Sequence, residues 1–122
     1  MIPPIPKKLL PHSAELVTKF DSDKWGNSSE NNNIVLEHIR IEPSEKIIAE
    51  NSETKVKLSA TLFFDLRNSS PTADFALKGD IVGGKTVDIQ QVIFGGRSFT
   101  VKTIETHYAD SKNIHHYEIG LI

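Results

Sequence analysis

The clearest pattern in the chain is an alternation of apolar and polar residues between positions 56 and 67. Successive side chains of a β-strand point to opposite faces, so a two-residue period places all of the apolar side chains on one side. The period therefore predicts an antiparallel strand with one buried face, formed by Val56, Leu58, Ala60, Leu62, Phe64 and Leu66. The opposite, solvent-facing side is predicted to carry Lys57, Ser59, Thr61, Asp65 and Arg67.

Shorter apolar stretches between polar turns predict the remaining strands. Residues 12–20 alternate loosely, and residues 34–43 are rich in β-branched side chains and stop at a proline. The apolar segments on either side of Gly95–Gly96 indicate a hairpin, because glycine reaches the positive φ angles of a tight turn. A short strand at 81–82 and a closing strand from residue 114 complete the set.

Together these segments predict an all-β fold, a small antiparallel β-barrel of about six or seven short strands with at most one short helix. A closed barrel is favoured because closure removes strand edges that a domain of 122 residues has little material to cover. Residues 1–122 are predicted to form one domain, since this length suits a single modest core.

Two segments depart from the strand pattern. Residues 1–11 include three prolines among the first six positions, which predicts an extended N-terminal arm. Residues 42–55 are polar around the apolar cluster Ile47–Ala49 and are predicted to protrude from the barrel. Their pattern leaves a loop, a hairpin and a short helix beginning at Ser44 as alternatives.

Composition narrows the function classes. The chain has no cysteine, which excludes disulfides, thiolate metal ligands and thiol nucleophiles. Its formal net charge is −2, whereas a protein that binds nucleic acid by neutralising phosphates usually carries a basic surplus. No apolar run approaches the roughly 20 residues of a membrane-spanning helix, so we expect no membrane contact.

Two adjacent histidines near the end of the chain are the most conspicuous candidates for chemistry. His115 and His116 point to opposite faces of a strand and cannot readily chelate one ion together. His116 and Glu118 do share a face, and His107 on the preceding strand is a candidate third ligand for zinc. Because no HExxH or other metal-binding motif is present, we interpret these residues as structural or interface residues and predict no metal site.

The sequence contains no catalytic signature. No serine lies in a G-x-S-x-G elbow, and "GDIVGGK" lacks the spacing of a phosphate-binding loop. We therefore predict no enzymatic activity and no cofactor. Trp25 lies in a polar loop, where it either covers an end of the core or contacts a partner. Together with His116 and Glu118 it forms the predicted interface set.

Seven segments, taken in order, resemble a known family. The succession resembles the minor capsid proteins of phages and prophages, which belong with the head-closure proteins (stoppers, or head–tail connector proteins) of long-tailed phages. The segments span nearly the whole chain, and they are IPKKLLPHSAEL, DKWGN, IVLEHIRIEPS, TLFFDLRNSSP, LKGDIV, FGGRSFTVKTIE and HHYEIGLI.

The resemblance implies a barrel that assembles as a homo-oligomeric ring beneath the portal and its adaptor after DNA packaging. In such proteins a long loop between early strands projects into the channel and helps to retain the genome. The corresponding residues here are Ser44, Glu45, Lys46, Ile47, Ile48, Ala49, Glu50, Asn51, Ser52 and Glu53.

The resemblance also implies contacts with the portal adaptor and with tail-terminator or other tail proteins. Packaged DNA is contacted non-specifically at most. The implied location is the virion, after assembly in the cytoplasm of the bacterial host. The alternative function is a small-barrel binding module for nucleic acid or peptide.

Overall fold

The computed structural model describes residues 3–21, 31–49 and 51–122, which contain nine β-strands and one 3-10 helix at Lys7–Leu9. No helix in these ranges is long and apolar enough to cross a membrane. The strands are β1 (His12–Phe20), β2 (Asn31–Pro43), β3 (Ile47–Ala49), β4 (Lys55–Lys57), β5 (Ala60–Asp65), β6 (Ile81–Val82), β7 (Lys85–Phe94), β8 (Arg97–Tyr108) and β9 (Ile114–Leu121).

Six of these strands close into an antiparallel barrel in the order β1–β2–β5–β9–β8–β7, and β7 pairs with β1 to complete the circle. β6 adds a seventh strand beside the start of β7, whereas β3 and β4 form a separate two-stranded sheet. The all-β antiparallel barrel predicted from the sequence is therefore confirmed. Closure pairs each of the six barrel strands with a neighbour on both sides over part of its length.

The barrel interior is filled by apolar side chains from all six strands. Leu62 and Ile119 are fully buried and lie opposite each other on β5 and β9. Burying an aliphatic side chain of this size contributes roughly 1.5–3 kcal/mol. The main core consists of Ala14, Leu16, Leu36, Ile39, Ile41, Ala60, Leu62, Phe64, Val92, Phe99, Val101, Ile119 and Leu121.

The predicted single strand over residues 56–66 is interrupted. β4 ends at Lys57 and β5 begins at Ala60, so Val56 belongs to the separate two-stranded sheet and not to the barrel. Leu58, in the connection, is buried against the outside of the barrel at Gly120. The alternation holds for the central part of the segment, where Ala60, Leu62 and Phe64 lie in the core.

The C-terminal end of the same alternation is a second correction. Asp65 was predicted to face solvent but is fully buried, and Leu66 was predicted to be buried but is exposed. The physical reason is a turn that begins at Asp65. Its Oδ1 accepts hydrogen bonds from the backbone N–H groups of Arg67 (2.9 Å) and Asn68 (3.0 Å), which ends the strand and its two-residue period.

The N-terminal segment lies against the barrel at the end of β5. Within the stretch predicted as an extended arm, Lys7–Leu9 instead form a 3-10 helix, and Leu10 is buried. The Ile5 N–H donates to Asp65 Oδ2 at 2.9 Å, and the Ile5 carbonyl oxygen accepts from Asn68 Nδ2 at 2.7 Å. These bonds explain why an acidic side chain is buried there, since each carboxylate oxygen has backbone donors.

Candidate functional site

The segment over residues 42–55 leaves β2 and continues into a β-hairpin made of β3 and β4. Among the alternatives open from the sequence, the structure has the hairpin, with Ile48 opposite Val56. At its far end Asn51 Oδ1 accepts hydrogen bonds from the N–H groups of Glu53 and Thr54, both at 2.8 Å. Glu50, one of the residues matched to the channel loop, lies outside the described residues.

The hairpin exposes a large apolar side chain among charged ones. Ile47 is 62% exposed, and Lys57, directly opposite it, forms an ion pair with Glu45 at 3.3 Å. In the described part of the chain β3 and β4 pair with no other strand, so each has an unpaired outer edge. Unpaired strand edges and exposed apolar side chains are typical of surfaces that associate with another chain.

The base of the hairpin is fastened to the outer surface of the barrel. The Leu58 N–H donates to the Lys46 carbonyl oxygen at 2.8 Å, which closes the hairpin at its root. Leu58 is buried against Gly120, whose neighbours along β9 point into the core. A glycine at this position leaves the outer face of β9 open to the Leu58 side chain.

An ion pair fastens the same root to β8. Lys46 Nζ lies 2.8 Å from Glu105 Oε1. The hydrogen bond to Glu105 raises the pKa of Lys46, and the hydrogen bond to Lys46 lowers the pKa of Glu105. Both side chains are about half exposed, so the pair orients the hairpin root more than it stabilises the fold.

Two cross-strand pairs bring four titratable side chains together beside this root. Glu105 lies opposite Glu118, and His107 lies opposite His116, in the β8–β9 register. His107 Nε2 and His116 Nε2 are 2.8 and 3.0 Å from the same Glu118 Oε2. The two imidazole rings are stacked, with 4.7 Å between their centroids and 4° between their planes. The structure thus brings together the three residues that the sequence suggested as zinc ligands.

His115, on the other side of His116, links this cluster to the N-terminal segment. Its Nδ1 lies 2.8 Å from His116 Nδ1, and its Nε2 lies 2.6 Å from the Pro3 carbonyl oxygen. The sequence analysis predicted neither this link nor the position of Glu105 beside the cluster. The glutamate could have been found only from the register of β8 against β9, and the proline only from the tertiary contact.

Among the three residues predicted to form an interface, His116 and Glu118 are partly buried and contact each other. Trp25 lies outside the described residues. The assignment of these residues to an interface stays a prediction.

Comparison with known proteins adds the family. The model of one protein family, described as minor capsid protein, matches residues 6–121. The chain belongs to this family. No curated protein and no solved structure matches the chain. Minor capsid proteins are structural components of phage virions, so the family establishes a structural role and a place in the virion.

Proposed function

We propose that this minor capsid protein is a head-closure protein of the phage head–tail connector. It closes the portal channel after DNA packaging, as a homo-oligomeric ring, and offers a surface to which the tail attaches. The portal adaptor lies on one side of the ring, and tail-terminator or other tail proteins lie on the other. The observation that carries the proposal is the β3–β4 hairpin, a polar projection with an exposed Ile47, fastened at its root to a closed barrel.

The closed barrel supports a model in which the barrel and the hairpin have different roles in the ring. Each of its six strands is paired on both sides over part of its length, which limits the edges through which copies of the chain could add strands to the barrel. The β3–β4 hairpin does offer edges, and neighbouring hairpins around a ring axis pair through them. The rigid barrel then forms the wall of the ring and the hairpins form the plug.

Hairpin stability supports a plug that becomes ordered on assembly. An isolated two-stranded hairpin is marginally stable in water, and this one exposes Ile47 to solvent. Packing of Ile47 against the hairpins of neighbouring copies removes that apolar surface from water. The ordering cost of the hairpin is thus offset only in the ring.

The charge of the chain and of its hairpin is compatible with passage of DNA through the channel. The net charge of the chain is −2, and the hairpin carries both signs, with Glu45 and Glu53 beside Lys55 and Lys57. A lining without a basic surplus does not hold the polyanion that must later leave through it. Contact with the packaged DNA is therefore non-specific.

The test removes the hairpin without opening the barrel. Lys46 and Leu58 are joined by a backbone hydrogen bond at 2.8 Å, so a two-residue Asn-Gly turn can replace residues 47–57. We expect the shortened protein to remain folded and to enter virions, and we expect the resulting heads to release their DNA. The measurements are circular dichroism of the free chain, and protein content and nuclease-protected DNA of purified particles.

A matched control alters an exposed isoleucine elsewhere. Ile81, on β6, is 68% exposed, and Ile81→Ser should leave DNA retention unchanged, whereas Ile47→Ser should reduce it. If heads assembled with the shortened protein retain their DNA and attach tails, the hairpin does not act as a plug. Absence of the parent protein from the neck of the particle would refute the connector assignment altogether.

A further inference from the structure

The hydrogen bonds around His115 and His116 determine which ring nitrogens carry a proton. The Pro3 carbonyl oxygen can only accept, so His115 Nε2 is the donor across the 2.6 Å between them. In a neutral imidazole the second nitrogen is then an acceptor, and His115 Nδ1 accepts from His116 Nδ1 at 2.8 Å. Neutral His116 therefore presents a bare lone pair at Nε2.

That lone pair faces a carboxylate. His116 Nε2 is 3.0 Å from Glu118 Oε2, and neither atom has a proton to share when the imidazole is neutral. The same oxygen is 2.8 Å from His107 Nε2, but the two atoms do not form a hydrogen bond. His107 Nε2 is shielded from solvent and has no hydrogen-bond partner among the described residues. Three electron-pair donors thus converge within 4.8 Å of one another.

The charges around the cluster also favour a cation. Glu105 and Glu118 lie directly opposite each other, an arrangement of like charges that destabilises a sheet. Lys46 forms its ion pair with Glu105, whose Oε2 also lies 3.5 Å from His107 Nε2. Glu118 faces both imidazole nitrogens at shorter distances. A positive charge between Glu118 and the imidazoles removes both the repulsion and the unmatched lone pairs.

We propose that His107, His116 and Glu118 bind a divalent transition-metal ion, with zinc as the best match. Two imidazole nitrogens and one carboxylate oxygen are a ligand set that zinc takes, with water in the fourth position. His115 is a positioning residue: it accepts the Nδ1 proton of His116 and is held by Pro3, which leaves His116 Nε2 free for the metal. Histidines that bind metals are commonly oriented by such a second hydrogen bond.

Metal binding requires one ring to turn. A metal–nitrogen bond lies in the plane of its imidazole, and two stacked parallel rings cannot both hold one ion in their planes. The His107 side chain is 43% exposed and has room to rotate, whereas the His116 side chain is 17% exposed and is held by His115. His107 therefore moves to the ion, and His116 and Glu118 stay in place.

The test is a titration of the full, untagged chain after removal of metal with a chelator. Calorimetry with zinc should show one saturable site per chain, and cobalt should give the visible absorption of a site with nitrogen and oxygen ligands. Saturating zinc should raise Tm by mass action. His107→Ala and Glu118→Gln should each weaken binding at least about 10-fold, and His115→Phe should weaken it about 10–100-fold through the lost orientation of His116.

His38→Asn is the matched control. It removes a histidine from β2, which pairs with neither β8 nor β9, and asparagine tolerates the φ of 55° found there. This variant should bind zinc like the parent chain. Circular dichroism establishes that each variant is folded, and the half-exposed His107 makes its alanine variant the least disruptive of the series.

Two results would overturn the proposal. The first is a folded parent chain that shows no saturable binding of zinc or cobalt. ¹⁵N shifts of His116 would then show whether a proton supplies the positive charge instead. The second is zinc binding that persists unchanged in both His107→Ala and Glu118→Gln, which would place the ion elsewhere. The site does not depend on the proposed role in head closure, so either proposal can fail alone.

Discussion

The Leu58 side chain lies against Gly120 on the outer face of the barrel. A Cβ atom at Gly120 would be 2.9 Å from Leu58 Cδ1 and would overlap Thr103 Oγ1. The contact joins the root of the β3–β4 hairpin to β9, where the neighbouring side chains Ile119 and Leu121 point into the core. One glycine thus decides whether the hairpin can be fastened at this place.

Gly120→Ala should therefore destabilise the fold by about 1–3 kcal/mol, as overpacking of a closed site does. The measurement is the free energy of unfolding in urea. The cost should be smaller in a Thr103→Ala background, because that change removes the atom nearest to the added methyl group. An equal cost in both backgrounds would contradict the packing described.

Leu62→Ala should cost about 2–5 kcal/mol, since Leu62 is fully buried in the barrel core. Thr61 points to the opposite face of β5 and is only half-buried, so Thr61→Ala should cost less than about 1 kcal/mol. Both values come from urea unfolding. Comparable losses for the two variants would mean that β5 is buried on both faces.

Asp65→Ala should destabilise the protein by on the order of 3 kcal/mol, because it leaves the N–H groups of Ile5, Arg67 and Asn68 without their acceptor. Asp65→Asn keeps one carbonyl oxygen and should lose less. Urea unfolding measures the free energies, and limited proteolysis within residues 3–9 reports release of the N-terminal segment. If Asp65→Ala and Asp65→Asn have the same stability and neither exposes that segment, Asp65 does not make the hydrogen bonds described.

Asp110 shapes the turn that sets His107 opposite His116. The backbone N–H of Lys112, together with Asn113, lowers the pKa of the Asp110 carboxyl. Because the pKa of Asp110 is lower in the folded state, the hydrogen bonds to its carboxylate stabilise the fold above the unfolded-state pKa. That stabilisation is lost as the pH falls through the folded-state pKa. NMR should show an Asp110 midpoint below that of an ordinary aspartate. It should also show lower protection factors for the Lys112 and Asn113 amides, each taken relative to the intrinsic rate at the same pH, once the pH falls below that midpoint. A midpoint at the ordinary value would refute the bonds.

Amide exchange of the β3–β4 hairpin tests the proposed ordering on assembly. The backbone amides of residues 47–57 should exchange fast in the free chain, because a lone hairpin is marginally stable. They should slow sharply in assembled particles if neighbouring hairpins pair there as proposed. The amides of β5 and β9 serve as internal controls and should be protected in both states. Equal exchange of the hairpin in both states would exclude its ordering in the ring.

The sequence alone was enough to predict the fold class, since an antiparallel strand with one buried face has a two-residue period that neighbouring positions reveal. That period correctly placed Leu62 and Phe64 in the core. It failed at Asp65, because the partner that buries this carboxylate is Ile5, which is 60 residues away. It also left the form of residues 42–55 open, because β3 pairs with Lys55–Lys57, and the alternation had assigned Val56 and Lys57 to the next strand.

The histidine cluster, too, was predicted only in part from the sequence. Strand periodicity showed that His116 and Glu118 share a face, and it named His107 as a candidate neighbour. Only the tertiary structure placed His107 Nε2 2.8 Å from Glu118 Oε2 and placed Pro3 beside His115. Local side-chain alternation determines which face of a strand a residue occupies. The residue it meets across strands depends on pairing register and on contacts between distant parts of the chain, which are decided when the whole barrel packs.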